Sequence, residues 1–208
     1  MNHVALLGDS IFDNAKYVPD RPPLIEQVQK SLPGTWRATL LAVDGDVTRD
    51  VTLQMKKITS DITHLVLSVS GNDALGASSI LEQSTDTIAD ALTILNVVGK
   101  QFQQSYRKLL EALVALKKPC AVCTIYDAIP GLDAAEQTAL AIFNEIILRE
   151  AFRVGFSIID LRLICNNASD YSHISSIEPS AIGGAKIATV ITELLTTAQF
   201  PVRSAIFM

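Results

Sequence analysis

Residues 1–14 read MNHVALLGDSIFDN. Val4, Ala5, Leu6 and Leu7 form a short, continuous apolar run, the pattern of a strand buried on both faces of a sheet. The run passes directly into Gly8, Asp9 and Ser10. A buried strand that ends in a glycine and two small polar residues is either turning a corner or presenting chemistry.

Outward from that stretch, runs of the same kind predict strands at 3–7, 37–43, 64–70, 120–126 and 156–161. Segments of helical period lie between them. "PPLIEQVQKSL" opens with Pro22 and Pro23 and stops before Pro33 and Gly34, and "DVTLQMKKI" has Asp50 as its cap. Helical period also fills most of 85–116, then 133–153 and 179–198. Strands alternating with helices are the mark of βαβ units and a parallel sheet. The expected fold class is therefore α/β, a three-layer α/β/α sandwich on a five-stranded parallel sheet. One domain is expected over 1–208.

The composition agrees with this architecture. At 208 residues, 49% hydrophobic and 19% charged, the chain can bury a full core. Twenty-two acidic against seventeen basic residues give a net charge of -5, and no run of like charge occurs. That balance argues against a nucleic-acid or anionic-membrane surface. No basic-then-apolar leader opens the chain, and no apolar run reaches the ~18 residues of a membrane span, so a soluble cytoplasmic protein is expected. Of the three cysteines, Cys120 and Cys123 stand three apart on an expected strand and so face opposite sides. They and Cys165 read as core thiols rather than as a zinc half-site or redox pair.

Open parallel sheets bind ligands outside the carboxyl ends of their strands. Three of those ends carry polar loops: Gly8, Asp9 and Ser10; Asp44, Gly45 and Asp46; and Ser70, Gly71, Asn72 and Asp73. Glycine and aspartate also make ordinary turns and caps. Three such loops on one rim weigh against that reading. After the fifth expected strand, "NNASDYSHISS" places Asp170 and His173 in a loop that should return to the same rim. His3 and His64 begin strands at the opposite edge, which leaves His173 as the histidine placed to meet Ser10. A short turn would let the Asp170 carboxylate accept from Nδ1–H of His173 and leave Nε2 free as a base for the Ser10 hydroxyl. Asp160 and Glu178 are alternative orienters.

The blocks "GDSI", Gly45, "GND" and "DYSH", in that order from Gly8 to His173, resemble the SGNH hydrolases, the GDSL lipase and esterase family. The resemblance implies a serine esterase or acylhydrolase with Ser10 as nucleophile, His173 as base and Asp170 as orienter. It maps an oxyanion hole onto the Ser10 and Gly45 backbone N–H groups and the Asn72 side-chain amide, with Gly8, Asp9 and Asp73 in supporting places. A small-molecule ester is the implied partner, and no cofactor or metal is needed. The chain departs from the family pattern at Ile11, at Ser70 where glycine is common, and in the stretch "ISSIEPSAIGG" after His173.

Two other readings use the same residues. A metal-dependent phosphoesterase could gather Asp9, Asp44, Asp46, Asn72, Asp73 and His173 around divalent ions, though such sites usually draw on several histidines. A non-catalytic flavodoxin-like module could hold a phosphate at the first loop, but "LLGDSIFDN" has neither a GxGxxG pattern nor a P-loop lysine. The rim loops after the first three strands look short, which predicts a shallow site and a preference for short acyl esters. The stretch 85–116 is long enough to add an apolar flap.

Overall fold

In the computed structural model, which describes residues 1–197 and 200, the opening run is the centre of the sheet. Strand β1 (Asn2–Gly8) pairs in parallel with β2 (Trp36–Leu40) on one side and β3 (His64–Ser68) on the other. Strands β4 (Cys120–Cys123) and β5 (Ser157–Ile159) complete a five-stranded parallel sheet in the order β2-β1-β3-β4-β5.

Alternation along each strand divides the core in two. Val4 and Leu6 of β1, Val66 of β3, and Ala121 and Cys123 of β4 pack beneath α1 (Leu24–Ser31) and α7 (Ala181–Thr196). Ala5, Leu7, Leu65, Leu67, Cys120 and Val122 face the other way. They pack with α2 (Val51–Met55), α4 (Ile88–Ala115) and α5 (Ala134–Val154). The fold is thus the expected three-layer α/β/α sandwich. Cys120 and Cys123 lie in opposite cores, and burial raises both thiol pKa values.

Strands β2 to β5 end earlier than expected from the sequence. Beyond β2, the N–H groups of Leu41 and Ala42 both donate to the Leu6 carbonyl, at 2.8 and 2.9 Å, so the ladder loses its register there. Beyond β4, the Asn144 side chain accepts from Ile125 N–H and donates to Ile125 C=O, taking the place of a neighbouring strand. Two short helices also appear where the sequence suggested loops: α3 (Gly71–Ala77) and α6 (Leu161–Ile164). Asp160 caps α6, accepts from Thr124 and pairs with Arg162, so its carboxylate is engaged in structural contacts. Helix α7 starts at its Ser180 cap and ends at Thr196. Apart from Phe200, the apolar tail "FPVRSAIFM" lies outside the described residues.

Because the chain leaves β1 for β2 on one side and returns to β3 on the other, the carboxyl ends of β1 and β3 flank a topological switch point. That is where an open α/β sheet offers its crevice.

Candidate active site

The first loop begins with a close approach of two backbones. Gly8 has φ of +130°, and a Cβ there would sit 1.7 Å from the Ser68 carbonyl oxygen of β3, so the position admits only glycine. The chain then tightens: Phe12 and Asp13 N–H both donate to the Asp9 carbonyl, and Asp9 Oδ1 accepts from Ile11 N–H at 3.1 Å. Ser10 is held in this turn, 5% exposed, with its side chain in the crevice. Asp9 lies almost wholly buried beneath it. Burial pushes its carboxyl up to about 8, against the Ile11 N–H bond and with help from the charges of Glu178 and Asp73.

The second loop is tied to the first by a residue without an evident role in the sequence. Gln54 of α2 accepts from Gly8 N–H at 2.8 Å and donates to Gly8 C=O and to Asp46 Oδ2, both at 2.7 Å. Gly45 itself takes a positive φ of +86°. Among the described residues no acceptor engages the N–H of Gly45 or that of Ser10. Asn72, in the first turn of α3, donates one amide hydrogen to the Asp46 carbonyl at 3.0 Å, which fixes its side chain beside the Gly45 turn. Asp73 accepts from both the N–H and the hydroxyl of Thr48, and burial raises its pKa. Ser70 stands at φ of +109°, a conformation that costs a residue with a Cβ roughly 1–3 kcal/mol, where glycine would be at ease.

The structure does not bring His173 to Ser10. Tyr171 pairs with Pro179 in an antiparallel bridge, and Ser172 N–H donates to the Glu178 carbonyl at 2.8 Å. The chain between them goes out and back, with His173 at its exposed outer end. There it lines a separate groove with Tyr17, Pro19 and Lys186. Asp170 is 0% exposed, but its carboxylate pairs with Lys186 Nζ at 2.7 Å and accepts from Asn167 N–H at 3.0 Å rather than from the imidazole. The residue that the loop returns to the crevice is Glu178, 4% exposed and facing the Ser10 hydroxyl. The sequence reading had Glu178 only as an orienter for His173. The signal for more was the length of "ISSIEP", which carries the chain outward before it comes back.

Three helical segments supply apolar walls to the crevice. Helix α3 and the single turns over 78–82 build one wall, Leu95 and Val98 of α4 a second, and Leu140 and Phe143 of α5 a third. Together they line one crevice that opens to solvent. Ser10, Asn72 and Glu178 line it together, and most of the remaining lining is apolar, with Ser78 and Glu136 among it. The acidic residues that a phosphoesterase would share are engaged separately: Asp44 with Lys16, Tyr17 and Asp13, Asp46 with Gln54, and Asp73 with Thr48. Among the described residues, no group of three or more His, Cys, Asp or Glu side chains is arranged to hold a metal ion, and no helix is long and apolar enough to cross a membrane.

No protein-family model matches the chain, and no curated protein is similar to it in sequence. Solved structures are. The lipase Lip_vut3 from a goat rumen metagenome superimposes with a TM-score of 0.73 at 16% identity, covering 93% of this chain and 97% of that one. A member of the lipolytic protein G-D-S-L family from Veillonella parvula gives 0.69 at 16% identity, over 95% and 100%. The acetyl xylan esterase AlAXEase gives 0.67 at 19% identity, over 92% and 98%. The chain has the SGNH, or GDSL, hydrolase fold across nearly its whole length.

Proposed function

We propose that this protein is a serine acylhydrolase that cleaves carboxylic esters whose acyl chain lies in the apolar crevice. The observation that carries the reading is Ser10, held in that crevice beside unengaged backbone donors. The substrate carbonyl would sit over Ser10 with its oxygen toward the Ser10 and Gly45 N–H groups and the second amide hydrogen of Asn72. Ser10 Oγ attacks the carbonyl carbon, and the carbonyl π pair moves onto oxygen. Fixed donors that meet the developing charge stabilise the transition state more than the ester. Collapse expels the alcohol and leaves an acyl-enzyme, which water hydrolyses by the same steps.

The structural neighbours support the ester-bond class, since those proteins are lipases and an acetyl xylan esterase. The Ser10, His173 and Asp170 triad implied by the sequence resemblance lacks geometric support, because Asp170 and Lys186 form an ion pair away from the crevice. A nitrophenyl ester series from two to sixteen carbons tests the proposal. Wild-type turnover that Ser10→Ala abolishes supports it; turnover that survives Ser10→Ala, or none on any ester, refutes it.

A further inference from the structure

We infer that Glu178 is the proton acceptor that activates Ser10, in the position where the sequence resemblance implies a histidine. The inference rests on the acylhydrolase reading, because it assigns the base of that same site.

Glu178 is set in place from both sides. Its own N–H donates to the Ser175 carbonyl at 3.1 Å and its carbonyl accepts from Ser172 N–H. The preceding carbonyl, of Ile177, accepts from Tyr126 O–H at 2.5 Å, and the following one, of Pro179, accepts from Asn14 Nδ2 at 3.3 Å. The side chain therefore enters the crevice from a braced backbone. One carboxylate oxygen, Oε2, is buried with no hydrogen-bond partner. Leaving such an atom unpaired is costly, and a residue retained only for packing would gain nothing from it. A carboxylate aimed at a hydroxyl in a ligand pocket has a use for the vacant lone pairs: it can take a proton.

The chemistry is suitable as well. Burial is the largest influence on Glu178 and pushes its carboxyl up to about 7, partly offset by the Ser10 hydroxyl. Asp44 adds to the rise and Lys16 opposes it. Asp9, Tyr17 and Tyr126 also face it. Imidazole ordinarily titrates near ~6.5. A carboxyl at about 7 thus has the basicity a histidine would bring, and a base is most effective near the working pH.

The steps balance without a further reactant. As the bond from Ser10 Oγ to the carbonyl carbon forms, the hydroxyl proton passes to the Glu178 carboxylate. When the tetrahedral intermediate collapses, the carbon–oxygen bond to the alcohol breaks and the leaving oxygen takes that proton back. In the second half, a water proton goes to Glu178, the hydroxide oxygen bonds to the acyl carbon, and Ser10 departs with the proton returned.

The test reads Ser10 reactivity without presupposing an ester. A fluorophosphonate probe reacts when Ser10 Oγ bonds to phosphorus, fluoride leaves and the hydroxyl proton goes to the base; mass spectrometry locates the adduct. Wild type should label at Ser10, faster as pH rises through about 7. Glu178→Gln, checked by thermal melting, should label at least ~10²-fold more slowly. His173→Ala should label like wild type. Should Glu178→Gln fail to fold, Glu178→Asp keeps a carboxylate farther back and should label at a reduced rate with a shifted pH profile. Wild type that does not label between pH 5 and 9, Glu178→Gln that labels like wild type, or His173→Ala that stops labelling overturns the assignment. Glu178-dependent labelling without turnover of any ester upholds the assignment and refutes the acylhydrolase reading, so the two fail separately.

Discussion

Gln54 and Gly8 exchange two hydrogen bonds, amide oxygen to Gly8 N–H and amide nitrogen to Gly8 C=O, and the same amide nitrogen reaches Asp46. One buried side chain thereby joins the loop that carries Ser10 to the loop that carries Gly45. Replacing it with leucine removes these partners and leaves buried backbone groups unpaired, a loss on the order of 2–3 kcal/mol. Thermal melts of Gln54→Leu should show a clearly lower Tm, with kcat falling as the two loops lose their register. An unchanged Tm would mean that water restores the bonds.

Asn72 should act on the transition state. If its amide meets the oxyanion, Asn72→Ala lowers kcat by ~10²–10³ and leaves KM nearly unchanged, the effect of removing one such donor. Because the amide also holds the Asp46 carbonyl, a melt must accompany the kinetics. A rise in KM at constant kcat would make Asn72 a binding residue instead.

The apolar walls of the crevice favour a preference that extends beyond the shortest acyl chains. Each methylene buried against Leu95, Leu140 or Phe143 is worth roughly 0.8 kcal/mol, or about fourfold in kcat/KM while the chain still finds wall to cover. Activity should climb from two carbons toward about eight. Ala139→Phe, which places a ring in the crevice from α5, should move the preference back to short chains. A flat or falling wild-type series would restore the shallow-site view.

Stability should fall as pH rises through neutrality. Folded Asp9 and Glu178 hold their protons to about 8 and about 7, whereas the unfolded chain releases them near 3.8 and 4.5. Between those limits the folded state binds more protons, so its stabilisation is full below about 4 and is lost toward pH 8. Tm measured from pH 5 to 8.5 should decline, and Asp9→Asn should flatten the decline. Equal slopes in the two proteins would remove Asp9 from the account. Glu150, held down to about 2 first by Arg107, acts in the opposite sense but only at acid pH.

Lys186 should matter to stability and not to turnover. It neutralises the wholly buried Asp170 carboxylate, and Lys186→Met leaves that charge unpaired. Because Lys186 is more than a third exposed, the loss is discounted to about 2 kcal/mol. Calorimetry should show the lower Tm while kcat/KM stays within a few-fold. A collapse of kcat with Tm unchanged would return Asp170 to the catalytic machinery.

Much of this was legible in the chain. The continuous apolar run at Val4–Leu7, running straight into a glycine, read as a strand covered on both faces, and its repetition between helical segments pointed to a parallel sheet. The loops that carry Gly8, Gly45 and Asn72 could be picked out because strand-end loops of an open sheet meet at one rim, while the oxyanion roles of Gly45 and Asn72 came from the family resemblance. Local pattern carries such features, since side-chain period and backbone sterics act over a few residues. Other features depended on contacts between distant parts of the chain. Helix α3 was hidden in "GNDALGA" because its two glycines, Asn72 and Asp73 are weak helix formers, and its place against the crevice comes from packing. The Gln54 clasp joins residues 46 positions apart. The sequence pointed to His173 as the base, with Glu178 only an alternative orienter, because an imidazole near an aspartate is the familiar arrangement. Which residue of that loop faces the crevice was decided only by tertiary contacts: the Tyr171–Pro179 bridge and the Ser172–Glu178 hydrogen bond frame the loop, Lys186 pairs with Asp170, and burial raises the Glu178 carboxyl.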